Sequence, residues 1–214
     1  MKKLFFTLLL AFLPLTFSFS QFSFGAKFGL NFSNQTCKDN NQTYSDDYKS
    51  RIGWVGELLT EYSFKEKFAV QLAAGSVSKG FKRDYNGVKY TYALSYINIE
   101  PSFIYKYKLN NISLFGQAGP YLSMLGTGTL KADKAILGPK GDSKSTGIDM
   151  GSDKEKDVFK SGDYGVNFGA GVEFLKNTRV GIQYSMGLDN IALSTDNGAK
   201  INNHDLTIFL NFKF

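Results

Sequence analysis

The chain has very little of what builds a stapled or metal-dependent fold. Among 214 residues there is one cysteine, one histidine and four prolines. A single cysteine excludes a disulfide framework, and with a single histidine it excludes the usual Cys/His zinc sites. After the first twenty residues no apolar run approaches the ~18 residues a membrane helix needs. Charge of one sign is also lacking. The formal charge is +6, and it falls to +4 over residues 21–214, because Lys2 and Lys3 are the only charges ahead of them. So small an excess on a chain of mixed sign gives no basis for nucleic-acid binding.

Aromatics are plentiful, at 15%, with 20 Phe and 12 Tyr, and there are 22 Gly. The mean hydropathy of −0.20 suits a water-soluble protein. It suits equally a chain in which apolar and polar residues alternate and cancel. Residues 1–20 stand apart: Lys2 and Lys3 precede an apolar stretch from Leu4 to Phe19, with Ser18 and Ser20 at the −3 and −1 positions of a cut before Gln21. This is the three-part pattern of a cleaved secretory signal peptide, which leaves 21–214 as the mature domain. Cys37, in an exported chain, is expected to be an unpaired loop residue.

The rest of the chain alternates at period two, the strand signature. Val180, Ile182, Tyr184, Met186 and Leu188 point one way, while Arg179, Gly181, Gln183, Ser185, Gly187 and Asp189 point the other. The same pattern runs through 24–32, 163–174 and 205–214. It is less clean in 52–64, 67–79, 92–108 and 112–126, where Leu59 and Ile104 fall on the polar face. Pro101 and Pro120 interrupt two of these segments and are expected to face each other across a local bulge. Short links at 65–67, 110–111 and 176–178 alternate with long polar ones at 33–51, 80–91, 127–162 and 189–203. Eight strands with alternating short turns and long loops predict an all-β, antiparallel, up-and-down transmembrane barrel.

Alternation alone does not say which face meets lipid. Charge does. The polar face carries Lys27, Glu57, Glu61, Glu100, Lys106, Glu173, Arg179, Asp205 and Lys213, and the apolar face is nearly free of charge. Aromatics gather at strand ends: Tyr62, Phe64, Tyr105, Tyr107, Phe174 and Phe212 near the short turns, and Trp54, Tyr92 and Tyr164 near the long links. Two such rings suit the two interfaces of a membrane, where amphipathic rings settle. Lipid cannot hydrogen-bond a sheet edge, so the first and last strands must pair. An eight-stranded interior holds only its own side chains, so the inward acids and bases are expected to pair and plug the barrel.

Phe24-Gly-Ala-Lys-Phe-Gly-Leu-Asn-Phe-Ser, Tyr96-Ile-Asn-Ile-Glu-Pro, Gly116-Gln-Ala-Gly-Pro-Tyr-Leu, Phe168-Gly-Ala-Gly-Val-Glu-Phe and Gly181-Ile-Gln-Tyr-Ser-Met-Gly-Leu-Asp-Asn-Ile, with a terminal Phe214, together resemble the PorT-like family of small bacterial outer-membrane β-barrels. The resemblance spans nearly the whole mature chain. It implies an eight-stranded barrel placed in the outer membrane by insertion machinery, with Phe214 in the terminal assembly signal. It also implies, through some relatives, a link to protein secretion. Gln117 replaces the acidic residue usual before the Ala-Gly-Pro stretch, and the 127–162 insertion is individual, so no relative's binding role carries over.

Chemistry-bearing motifs are sparse. His204 would need a hydroxyl partner and an acid to form a nucleophilic triad; Ser194 and Thr207 are nearest in sequence. Asp149, Asp153, Glu155 and Asp157 lack the spacing of a Ca²⁺ loop. The stretch from Lys131 to Lys160 holds seven lysines and six acids and is expected to be a solvated loop whose lysines can reach lipopolysaccharide phosphates. No cofactor or metal is called for. The expected function is a non-enzymatic outer-membrane barrel with a structural or interaction role through its outside loops, where a protein partner is one candidate, and with outer-membrane lipids and lipopolysaccharide around it. A secretion or transport accessory is the alternative; a lipid-modifying enzyme, resting on His204 alone, is the third reading.

Overall fold

A computed structural model describes residues 21–44, 48–133, 145–151, 157, 159–175, 177–193 and 195–214. The expected signal peptide 1–20, Asp153, Glu155, Lys176 and Ser194 lie outside these residues. Eight long strands alternate side chains between two faces: β1 (Phe22–Lys38), β2 (Tyr48–Lys65), β3 (Phe68–Tyr85), β4 (Val88–Leu109), β5 (Ile112–Ala132), β9 (Gly162–Phe174), β10 (Thr178–Gly187) and β11 (Lys200–Lys213). Between β5 and β9 run three short strands: β6 (Ser145–Ile148), which pairs antiparallel with the outer end of β5, and β7 (Met150–Gly151) with β8 (Phe159–Lys160), a parallel pair.

Each long strand is antiparallel to its neighbours in sequence, and the ring closes where β1 meets β11, from Gly25↔Lys213 to Lys38↔Lys200. The fold is an eight-stranded up-and-down barrel with no free edge in the ring. Its exterior is the apolar face. Val180, Ile182 and Tyr184 are 44%, 54% and 44% exposed, whereas Arg179 and Gln183 on the alternate positions are 0% and 2% exposed. A water-soluble barrel would reverse those numbers. Hydrocarbon is the solvent that makes this arrangement stable, since burying the charges and exposing the apolar rows in water would cost twice over.

The strands outrun the sequence expectation. A barrel strand crosses hydrocarbon in about 9–11 residues, yet β2 and β3 have 18 residues each, β4 has 22 and β5 has 21. The surplus forms a wall beyond the membrane. The expected long link 80–91 is not a loop: β3 and β4 stay paired to Tyr85↔Val88, and Asn86 and Gly87 turn the chain at φ 49° and 71°. Both residues in the left-handed region make the tight hairpin whose twist matches the strands. The links 33–51, 127–162 and 189–203 are likewise entered by strand at one or both ends. Cys37 lies in β1, opposite Ile201, rather than in a loop.

Pro101 and Pro120 both point outward and stand at matching positions between the pairs Ile99↔Leu122 and Phe103↔Ala118. The register on either side is the same, so the expected bulge is absent there. Two missing N–H groups interrupt the ladder without inserting a residue. The shift in this strand pair occurs instead at Ser95/Tyr96, where Gly126 is the extra residue. A Cβ at Gly119 would overlap the Pro101 carbonyl oxygen, so glycine is what lets the strands approach at the proline pair.

Candidate functional site

Register delivers the charges to one another inside the barrel. Lys27 stands directly across from Glu57, and Arg179 across from Glu173. From these cross-strand pairs the lumen fills in layers.

Nearest the short turns, Arg179 grips Glu61 with two nitrogens, at 2.6 and 2.8 Å, and Glu173 with its Nε at 2.6 Å. Lys213 reaches both carboxylates at 3.1 Å, and Lys106 reaches Glu61 at 2.9 Å. Three cations therefore hold two carboxylates, with the fork of the guanidinium matched to one of them. Above this lies an apolar layer of Ala69, Ile104, Phe115 and Phe209. This explains why Ile104 sits on the polar face; Leu59 is likewise buried inside. The Arg179 guanidinium lies 5.3 Å from the Phe115 ring centre and the Lys27 ammonium 5.5 Å from that of Phe209. The rings thus face a cation on either side.

The third layer centres on Lys27, 2.9 Å from Glu57 and 2.8 Å from Glu100. Asn98 donates to both carboxylates, and Gln183 donates to Glu100. The fourth repeats the pattern one step outward: Lys79 lies 3.1 Å from Asp163 and 3.2 Å from Asp205, with its ammonium 4.4 Å over the Tyr121 ring. Asn203 and the Tyr121 hydroxyl donate to Asp163. Between these two layers remains a cavity of about 10 Å³, room for one water at most. An outer apolar layer of Val55, Val77, Phe81, Leu94, Tyr96, Phe159 and Ile191 covers the stack.

All nine charges assigned to the lumen from sequence face inward, with Lys106 the most open. Asp205 pairs with Lys79, the last residue of the expected strand 67–79. Lys79 and Asp163 were detectable by parity, since Lys79 shares its face with Gln71, Ala73 and Val77. Of the aromatics assigned to the rim, Trp54, Phe64, Tyr105, Tyr107, Tyr164 and Phe212 are outward and exposed, while Tyr62 and Phe174 are half-buried. Phe68 bridges Phe64 and Tyr105 with ring centres 6.0 and 5.3 Å away. Tyr92 is a correction: it faces inward and stacks on Phe81 at 4.4 Å, because β4 continues past the lipid and even-numbered positions keep turning in. Phe214 exchanges backbone hydrogen bonds with Phe24 at the seam.

His204 faces outward near the rim. Thr207 cannot serve it, being turned inward to donate to Asn31. The imidazole instead has Thr36 Oγ1 2.7 Å from Nε2 and the Tyr184 hydroxyl 3.3 Å from Nδ1. Among the described residues it has no carboxylate partner. Beyond the barrel, the Asp39 carboxylate accepts the N–H groups of Asn41 and Gln42 at 2.7 and 2.8 Å. Asn40 N–H donates to the Asn197 carbonyl, which ties the β1–β2 loop to the β10–β11 loop. The Gln42 and Asn41 amides hold the Asp39 carboxyl below its ordinary range.

A lipid-facing apolar surface around a packed, ion-paired lumen defines a small transmembrane β-barrel of the bacterial outer membrane. The family model described as "Outer membrane protein beta-barrel domain" matches residues 16–193, and the chain belongs to that family. None of the curated proteins matches it. Among solved structures, the attachment invasion locus protein Ail of Yersinia pestis, in complex with the heparin analogue sucrose octasulfate, is 16% identical. That match covers 91% of this chain and 99% of Ail, at a TM-score of 0.41. OprG from Pseudomonas aeruginosa is 12% identical over 90% of this chain and 95% of its own, at 0.48. The outer membrane enzyme PagL is 14% identical over 85% and 98%, at 0.41.

Proposed function

We propose that this protein is a non-enzymatic outer-membrane barrel of the PorT-like branch that works through the parts standing outside the membrane. The observation that carries this reading is the contrast between its two halves. The lumen is filled by mutually paired charges around a void of about 10 Å³, while β2–β5 project well beyond the span that hydrocarbon requires. A protein whose inside is occupied by its own side chains offers its surfaces to others. In this reading residues 1–20 are removed on export, the exposed aromatics ring the two interfaces among outer-membrane lipids and lipopolysaccharide, and Phe214 belongs to the signal read by the insertion machinery. The partner at the outer end is a protein. Replacing residues 133–158 by a short Gly/Ser link tests this: crosslinking in intact cells should lose its partner while the heat-modifiable gel shift of the folded barrel persists. Unchanged crosslinking would reject the outer insertion as the contact.

A secretion accessory is favoured by the PorT-like motifs and would act through the same surfaces. Its signature is cargo retained in the periplasm when the gene is removed. The Thr36–His204 contact supports an acyl-modifying reading only if the purified barrel deacylates lipid A and His204→Ala abolishes that activity.

A further inference from the structure

The outward face of the projecting wall changes in a fixed order with height. On β4 the apolar Ile99 and Ile97 give way to Ser95, Ala93 and Thr91; on β5 Leu122 and Met124 give way to Thr127, Thr129 and Lys131. At the level where the small residues end, register lines up Lys49↔Lys82, Lys82↔Thr91 and Thr91↔Lys131 across four strands. With Lys89 next to them, four lysines border a cavity of about 450 Å³ shared with Asp84 and Asp133. At ~4.8 Å per strand the row spans roughly 14 Å.

Nothing in the barrel's own architecture calls for this row. Lys49 and Lys82 are directly opposite, an arrangement that like charges destabilise. Lys49 is paired with Asp84 at 2.6 Å in an exposed bridge, of the kind worth little by itself. Lys82 and Lys131 have no ion-pair partner among the described residues. The row stands on the membrane-facing side, above the apolar band and past a shelf of small hydroxylated residues, where lipid headgroups pack against the wall. Ammonium groups there complement phosphate as point charges, and a phosphate lying between two of them removes their repulsion.

We propose that the Lys49–Lys82–Lys131 row binds the phosphates of the phosphorylated disaccharide glycolipid of the outer leaflet, with the Ser95, Thr127 and Thr129 shelf beneath its sugars. This rests on the lipid-contact reading given above and assigns that contact to the strand wall rather than to the 127–162 lysines as a whole. The test measures lipid binding to the folded full-length barrel in detergent by native mass spectrometry. The probes are diphosphorylated lipid A, fully dephosphorylated lipid A and inorganic phosphate. Lys82→Gln with Lys131→Gln is compared with Lys38→Gln with Lys200→Gln, which removes the same charge from the β1–β11 seam; the heat-modifiable shift verifies folding of both. The row variant should bind diphosphorylated lipid A about ten-fold more weakly, and the seam variant should change by less than about two-fold. Dephosphorylated lipid A should bind weakly to the unaltered barrel, and millimolar inorganic phosphate should not displace the lipid. Equal losses in the two variants, or full displacement by inorganic phosphate, would overturn the assignment. Equal binding of the two lipids would overturn the row but leave lipid contact standing; binding of neither would sink both.

Discussion

At Arg179 the physics of the lumen is concentrated in one side chain. It is fully buried and satisfies two carboxylates, so its removal leaves charge behind rather than merely deleting a contact. Arg179→Met should destabilise the barrel by about 3 kcal/mol, the low end for breaking a buried pair, since Lys213 and Lys106 still attend Glu61 and Glu173. Urea unfolding in lipid vesicles, followed by tryptophan fluorescence of Trp54, measures it. Three residues along β10, on its other face, the opposite experiment applies: Ile182→Arg puts a charge into hydrocarbon and should cost about 2–4 kcal/mol. A stabilised or unaffected Ile182→Arg barrel would contradict the lipid-facing orientation of that row.

The strands and loops show where sequence was readable. Faces were legible because period-two alternation separates Val180 from Arg179 whatever the surroundings. Strand lengths were not. The apolar half of the alternation stops where the lipid stops, but backbone pairing continues as long as two strands lie side by side. Hence 80–91, polar enough to predict a loop, is a hairpin, and Lys79, at the end of the expected strand, is the centre of a buried cluster. Tyr92 departs from the expected rim for the same reason: it lies on a part of β4 above the rim. Prolines misled in another way, since a missing donor can be borne by a gap in the ladder without a bulge. The Asp39 clasp is a feature no periodicity reveals. Because folding lowers its pKa, its contribution is complete above the unfolded carboxyl value of ~3.9 and is lost as pH falls through the lower folded value. Protection of the Asn41 and Gln42 amides, taken relative to their intrinsic exchange rate, should therefore fall in strongly acidic buffer. Asp39→Asn should abolish that pH dependence.

For the molecule as a whole, the stacked layers make the barrel a solid post rather than a conduit. Purified protein in planar bilayers should show no porin-like conductance, because the residues that would line a channel are bonded across it, from Arg179 to Glu61 and from Lys27 to Glu100. Steady, large, voltage-independent currents from a single folded species would refute this. The same bonds make the lumen a cross-brace. Each cluster joins strands far apart around the ring, so the wall's curvature is fixed from within as well as by its backbone ladder.

The β1–β11 seam also sets an order of events. Lys213 on β11 contributes to the lowest ion cluster, and the Phe24–Phe214 backbone pair fastens the rim, so neither the hoop nor its lowest cluster is complete until the last strand of the ring has been made. A chain halted before residue 200 would carry two raw edges that oil cannot satisfy. Closure of the ring within the membrane therefore waits on β11.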